Sequence, residues 1–316
     1  MRDPPDAPLA GPGGVYARYP RATVSRFTRF AVFTLVFNVG VVLYGAVVRA
    51  TGSGAGCGSH WPTCGGDVVP VSGPTERFIE FGHRASSGAA LLLGGVLVVW
   101  AVRTRRSGDP VRWAAIAAAI LIVNEALIGA ALVLFEWVAD DRSVARAVSI
   151  TVHLVNTFLL LAALALTAWW SSGRPTPTRG SSNRSTRRLV LLAAAGLILV
   201  GAAGAITALG DTLFPPDDSA GSGNFLVRLR WIHPIVAVAV ATYLLYLSRV
   251  LKVPEWMRTG LASLVVVQLA AGLVNVALAA PVWMQVVHLL IADAIWILFV
   301  VTASAALAER SELVAT

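Results

Sequence analysis

Long apolar stretches alternate with short polar segments along almost the whole chain. Eight stretches are long enough to cross about 30 Å of hydrocarbon as helices. They lie near 29–49, 78–102, 112–135, 148–170, 188–210, 230–250, 259–280 and 284–307. The pattern predicts an all-α integral membrane protein with eight transmembrane helices. A 56% hydrophobic content, with only 13% charged residues, agrees with this class and excludes an ordinary soluble domain.

Basic residues concentrate in every second connection and in the N-terminal tail. Cytoplasmic segments of membrane proteins carry such an excess, so the pattern predicts a multi-pass protein of the cell (plasma) membrane with both termini in the cytoplasm. The net charge of +8 reflects this bias, and no nucleic-acid partner is expected. Representative residues are Arg18 and Arg21 in the tail, then Arg103 and Arg105, Arg184 and Arg187, and Arg249 and Lys252.

The chain is predicted to fall into two halves of four helices each. A Ser/Thr/Arg/Pro-rich segment at 171–187 reads as a cytoplasmic linker between the halves 29–170 and 188–307. Residues 1–28 and 308–316 are expected to be cytoplasmic tails.

The two halves resemble each other at matching helices. Gly45-Ala-Val-Val-Arg49 ends the first helix and Ala203-Gly-Ala-Ile-Thr207 ends the fifth, whereas Glu125 of the third helix corresponds to Gln268 of the seventh. Because each half has an even number of helices, the repeats run parallel, and two pseudo-symmetric four-helix bundles are expected.

Four histidines open the even-numbered apolar stretches, about five residues inside each: His83, His153, His233 and His288. These helices all enter from the outer side, so the four imidazoles are expected to share one plane, as two axially ligated haems require. Two alternatives remain open. Each histidine could bond a neighbouring carbonyl, and imidazoles also bind other transition metals.

Acidic residues accompany the histidines inside the helices. Glu80 precedes His83 by three residues and therefore shares its helical face, although an acid near a helix N-terminus also complements the helix dipole. Glu125 and Asp293 lie deeper, and their roles stay open. Intramembrane acids are candidates for function because burying a charge there is costly.

Four arginines near the outer helix ends are candidate contacts for haem propionates: Arg49, Arg84, Arg228 and Arg230. Guanidinium binds carboxylates in a bidentate way. Snorkelling of helix-end arginines towards the interface explains their position equally well.

The chain has two cysteines, Cys57 and Cys64, both in the first outer loop. An oxidising compartment and six intervening residues favour a disulfide, which could be a purely structural staple. A zinc site that uses His60 would lack a fourth ligand.

Over about residues 25–307 the chain resembles the haem A synthase family. The likeness rests on the Thr51-Gly52-Ser53-Gly54 turn, the Cys57…Trp61-Pro62…Cys64 loop of the bacterial form, the Glu80-x-x-His83-Arg84 motif, the other helix-opening histidines and the duplicated halves. Two positions depart from the family pattern: Glu125 stands where Gln is expected, and Pro234 stands where Arg is expected.

The resemblance implies an oxidoreductase that converts a methyl group of haem O to the formyl group of haem A for cytochrome oxidase. By this likeness, His233 and His288 would ligate a resident haem b, and His83 and His153 would hold the substrate haem O. Glu80 would match the family's catalytic acid.

The resemblance also implies partners for the chain. These are haem O synthase, cytochrome oxidase assembly factors and an electron donor that the sequence does not name, and a homo-oligomer is compatible with it. Two other functions stay open: a non-catalytic dihaem electron-transfer protein of the membrane, and a haem transporter or chaperone.

Overall fold

The computed structural model describes residues 25–177, 184–214 and 225–308. Within these ranges the protein is all-helical. The helices are α1 (Arg26–Ala50), α2 (Thr75–Thr104), α3 (Pro110–Leu134), α4 (Val144–Ser171), α5 (Arg184–Leu213), the short α6 (Phe225–Leu229), α7 (Ile232–Val250), α8 (Glu255–Ala277) and α9 (Val282–Ala308). Most of the predicted tails and the middle of the predicted linker lie outside the described residues.

Eight helices are long and apolar enough to cross a membrane, which confirms the predicted number. Polar side chains cap the N-termini of three of them, α1, α3 and α4. Ser25 Oγ accepts from the Thr28 amide at 3.0 Å, Asp109 Oδ1 accepts from the Val111 amide at 2.8 Å, and Ser143 caps α4 in the same way. Each cap satisfies a backbone donor that the helix leaves open.

In each half, four long helices form a closed bundle in which every helix packs on two neighbours. In the first half α1 and α3 both pack on α2 and α4, and in the second half α5 and α8 both pack on α7 and α9. The halves meet along α1, α4, α5 and α9. We call the ends of the helices next to the 51–74 loop the outer ends, following the predicted topology.

Aromatic residues join the two halves in the middle of the molecule. The rings of Phe158 and Trp296 stack with centroids 5.0 Å apart, and the indole N–H of Trp296 donates to the Phe158 carbonyl at 2.6 Å. Nearer the inner end, the Trp170 indole donates to Ser304 Oγ at 2.9 Å. Hydrogen bonds of this kind hold helices together where lipid removes the hydrophobic drive for association.

Arg49 crosses between the halves at their outer ends. Its guanidinium leaves α1 and donates to the Ala208 carbonyl at 2.7 Å and to Thr212 Oγ1 at 2.8 Å, both on α5. It also donates to Gln285 Oε1 on α9 at 2.7 Å. A side chain of the first half is thus coordinated entirely by groups of the second half.

Candidate functional site

The four predicted histidines all lie in the outer parts of membrane helices. His233 is the second residue of α7, and the other three lie between the seventh and tenth residues of α9, α2 and α4. The helices begin several residues before the apolar stretches do, so the imidazoles lie farther into three of the helices than the sequence indicates. The histidines nevertheless stay on one side of the protein.

The second-half pair faces across the centre of its bundle. The ring centroids of His233 and His288 are 6.4 Å apart with planes at 81°. Two imidazoles on opposite sides of one iron, each with a metal–nitrogen bond of about 2 Å, give a centroid separation of about 6 Å. The observed spacing therefore fits axial ligation of one haem by this pair.

Small residues leave room around these rings. A Cβ added to Gly204 would lie 3.0 Å from His233 Cε1, and one added to Gly272 would lie 3.3 Å from His288 Cε1. A larger residue at either position would displace the imidazole beside it. The glycines of α5 and α8 thus let the two imidazoles pack closely against these helices.

Hydrogen bonds orient both imidazoles. His233 Nδ1 lies 3.2 Å from the Val200 carbonyl, which favours a proton on Nδ1 and leaves Nε2 available to a metal. Gln268 Nε2 lies 3.1 Å from His288 Nε2, and a metal bound there would replace this contact. His288 Nδ1 is buried without a hydrogen-bond partner in the described part of the chain.

The first-half pair occupies the corresponding place in the other bundle. His83 packs against Gly45, where an added Cβ would lie 3.1 Å from its ring, and against Tyr44 at 5.9 Å between centroids. His83 is close enough to His153 to interact with it electrostatically. The structure thus places His83 within electrostatic range of His153, whereas His233 and His288 are in direct ring contact.

Glu125 is the immediate partner of His153. Its Oε2 contacts His153 Nδ1, and its Oε1 accepts from Asn156 Nδ2 at 2.7 Å and from Thr157 Oγ1 at 3.0 Å. A carboxylate on Nδ1 fixes the orientation of the imidazole and presents Nε2 for a metal. The arrangement is a carboxylate–histidine pair held by an amide and a hydroxyl.

The sequence left the role of Glu125 open, although a usable signal was present. Glu125 and Gln268 correspond in the repeat, and so do His153 and His288. The structure shows that each member of the first pair contacts its own histidine. The two halves therefore share one arrangement, with a carboxylate in the first half and an amide in the second. Asn156 and Thr157 carried no comparable signal.

Glu80 is held against the outer loop. Its side chain is 3% exposed, its Oε2 accepts from the Cys57 amide at 2.7 Å, and its Oε1 accepts from Arg84 Nε at 3.1 Å. It lies one helical turn before His83 on α2. The carboxyl group is thus fixed by one backbone donor and one guanidinium beside the first-half pair.

The outer loop is closed by a disulfide between Cys57 and Cys64, with Cα atoms 4.4 Å apart, which confirms the predicted pairing. Arg84 Nη1 donates to the carbonyls of His60 at 2.6 Å and Thr63 at 2.7 Å. Gly56 brings the loop directly onto α2, since an added Cβ would lie 2.5 Å from the Glu76 backbone. The loop and the first turns of α2 form one connected unit around Glu80.

The arginines predicted as propionate contacts have different surroundings. Arg84 pairs with Glu80, and Arg49 bonds α5 and α9 as described above. Arg230 Nε pairs with Asp211 Oδ1 at 2.9 Å, and Arg228 is exposed. Contacts of these side chains with propionates remain a prediction.

Two further features concern metal ligands and acids in the described ranges. No group of three or more His, Cys, Asp or Glu side chains there could hold a metal ion. Iron already bound in a macrocycle requires only two axial ligands, the number that each predicted histidine pair could supply. Asp293 lies on α9 at 1% exposure, and its carboxyl oxygens have no hydrogen-bond partner among the described residues.

Several known proteins are similar in sequence to this chain, over different lengths. Two proteins from different strains of Thermus thermophilus, both named Protoheme IX farnesyltransferase, are 48% identical over 306 residues, which cover 92% of this chain and 50% of each relative. The chain thus spans about half the length of these relatives. A protein of Halalkalibacterium halodurans named Heme A synthase is 33% identical over 148 residues, which cover 47% of this chain and 48% of that protein.

A family model covers nearly the whole membrane region. It matches residues 28–75 and 72–300 and is described as cytochrome oxidase assembly protein, COX15-CtaA. The matched segments contain both histidine pairs, Glu80 and the disulfide loop. The chain belongs to the COX15-CtaA family of cytochrome oxidase assembly proteins.

Proposed function

We propose that this protein is a haem A synthase, an oxidoreductase that converts a methyl group of haem O to the formyl group of haem A. The observation that carries the proposal is the difference between the two histidine pairs. Within the part of the chain that the structure describes, only the pair of His83 and His153 has an acid, Glu80, one helical turn away and anchored beneath the outer loop. Family membership and the relatives named Heme A synthase support the same activity.

The two halves take different haems in this proposal. The second half holds a resident haem b through His233 and His288, whose rings have the spacing for one iron. The first half holds the substrate haem O through His83 and His153. Haem iron supplies the oxidative chemistry that an inert methyl group requires and that amino-acid side chains lack.

The side chains of the first half then perform three tasks. Glu125 orients His153, the disulfide loop covers the outer end of the site and limits the entry of water, and Glu80 moves protons at its carboxyl group. The guanidinium of Arg84 and the amide of Cys57 keep the Glu80 carboxyl in one position. A fixed acid beside the ligating histidine is the arrangement that proton transfer at the substrate edge requires.

The proposal also assigns partners. An enzyme that attaches a farnesyl group to protohaem must supply the substrate, and a relative matched over half its length carries the name of such an enzyme. Cytochrome oxidase assembly factors would receive the product, and an electron-transfer partner would serve the oxidation. A homo-oligomer is compatible with the lipid-facing surfaces of the described helices.

Co-expression with a haem O synthase tests the function directly. In a host that lacks its own haem A synthase, extracted pigments should contain haem A when both proteins are present and haem O when this chain is left out. A dihaem electron-transfer protein or a haem carrier would leave haem O unchanged. Haem O as the final pigment in the presence of the folded, haem-loaded protein overturns the proposal.

Glu125→Gln should weaken the binding of haem O about tenfold, because a carboxylate that orients a ligating histidine is replaced by an amide. Titration of purified protein with haem O, followed by absorbance, measures the change. Glu255→Gln, at an exposed position at the start of α8, is the matched control and should leave the affinity unaltered. Equal affinities of all three proteins would show that Glu125 only packs against His153.

A further inference from the structure

A groove of about 410 Å³ runs between α3 and α4. Most of its lining is aliphatic: Leu127, Ile128, Val152, Val155 and Leu159. Leu127 is 59% exposed and Val152 is 50% exposed, so the groove opens to the surface that lipid covers. Its volume lies in the range of small-molecule sites, about 300–1,000 Å³.

The groove leads to the first-half histidine pair. Asn156 forms part of its lining, and the same side chain donates from Nδ2 to Glu125 Oε1 at 2.7 Å. Glu125 in turn contacts His153. One amide therefore separates the lipid-facing groove from the carboxylate–histidine pair.

Asn124 places a polar group in this apolar setting. It lines the groove, is exposed, and makes no side-chain hydrogen bond to any described residue. As the fifteenth residue of α3 it lies about 21 Å from the inner helix end, well within the hydrocarbon. An amide without a partner is costly at that depth, so its presence indicates a ligand that carries a hydrogen-bonding group.

These features are absent from the matching positions of the second half. The repeat register that aligns Glu125 with Gln268 aligns Asn124 with Val267 and Leu127 with Ala270. The register that aligns His153 with His288 aligns Asn156 with Ile291. The polar groups and the large aliphatic side chain thus belong to the half that is proposed to hold substrate.

We propose that the groove between α3 and α4 binds the isoprenoid tail of haem O, and that the amide of Asn124 bonds the hydroxyl group at the root of the tail. This inference rests on the proposed function. Haem O differs from protohaem by a hydroxyethylfarnesyl group, which is one hydroxyl followed by a branched hydrocarbon chain. The groove provides groups that match both parts of the tail: the amide of Asn124 for the hydroxyl, and aliphatic side chains for the hydrocarbon chain.

A lipid acyl chain is the competing occupant of an apolar groove in a membrane. It carries no hydroxyl for Asn124 in the hydrocarbon region. The tail of a haem held by His153 is also tethered beside the groove, which raises its local concentration above that of free chains. Because lipid is as apolar as the groove, the binding free energy of the tail comes mainly from tethering, packing and the hydroxyl contact.

The test compares two haems on the protein with its resident haem in place. Haem O and protohaem are titrated separately into purified protein, and the affinity of the added haem is measured by absorbance. The wild type should bind haem O about tenfold more tightly than protohaem. Leu127→Trp fills the groove at a lipid-facing position and should remove this preference without changing the affinity for protohaem. Leu92→Trp on α2, where Leu92 is 73% exposed, is the matched control and should retain the preference.

Asn124→Leu removes the amide without adding a polar group to the membrane surface. It should lower the affinity for haem O about fivefold and leave that for protohaem unaltered. Equal affinity of the wild type for both haems, or an intact preference in Leu127→Trp, would mean that the groove holds only lipid. An unchanged haem O affinity in Asn124→Leu overturns the hydroxyl contact.

Turnover separates this inference from the proposed function. If the wild type makes haem A but the Leu127→Trp variant still prefers haem O to protohaem, the tail site is wrong and the proposed activity stands. Conversely, a protein that prefers haem O through the groove but makes no haem A overturns the proposed activity and leaves the tail site supported.

Discussion

His233→Ala or His288→Ala should remove the resident haem b, whereas His83→Ala should leave most of it in place and abolish the formation of haem A. The reason is the geometry of the second half, where the two rings lie 6.4 Å apart, a spacing that fits the proposed axial ligation of one iron. We expect haem b content to fall more than about tenfold in the first two variants, because each would lose one of the two bonds between the protein and the iron.

The haem content of each purified variant is measured from the absorbance of the reduced pyridine complex. His60→Ala is the matched control, since His60 is exposed on the outer loop and belongs to neither pair. If all four helix histidines lose the resident haem to the same extent on substitution, the division between a substrate half and a cofactor half is wrong.

Glu80→Gln should reduce the formation of haem A by about a hundredfold or more, in the range of general acid–base effects. Glutamine keeps the shape of the side chain and an oxygen that accepts from the Cys57 amide, but it has no titratable proton. Expression and haem b content should stay near normal. Haem O, or a partly oxidised alcohol, should accumulate in the extracted pigments.

Glu76→Gln provides the comparison for Glu80, because Glu76 lies one turn earlier on α2 and is exposed. It should form haem A at the parental rate. If Glu80→Gln also forms haem A at the parental rate, Glu80 has no catalytic role and only joins α2 to the outer loop.

The number of helices was predictable because apolar length decides which segments enter a membrane. Their ends were less predictable. Helix α5 begins at Arg184, four residues before the apolar stretch at 188, because arginine is a good helix former that can extend a membrane helix into the polar interface. The sixth predicted helix, 230–250, corresponds to α7, which begins at Ile232. The short α6 before it, Phe225–Leu229, was not predicted, because hydropathy alone does not register so short a helix.

The residues of the candidate site also differ in how far the sequence predicted them. The histidines were identifiable because a titratable side chain is rare and costly within a membrane helix. The contact between Glu125 and His153 was not predicted, although the register of the repeat pointed to it. The amide of Cys57 as a partner of Glu80 depends on how a loop folds over a helix, since 23 positions separate the two residues in sequence. No helical or repeat periodicity encodes a contact of that kind.

Arg49 bears on the ancestry of the duplicated fold. Two identical four-helix units associated as a homodimer would place an arginine at both matching positions, yet the position that corresponds to Arg49 in the second half is Thr207. Arg49 is satisfied only by α5 and α9, that is, by groups of the other unit. A first half released from its partner would leave this guanidinium beside hydrocarbon with none of those acceptors, at a cost of about 3–5 kcal/mol, as for a buried charge that loses its partner. The first half therefore depends on acceptors that only the second half supplies, so the two units are no longer interchangeable at this contact.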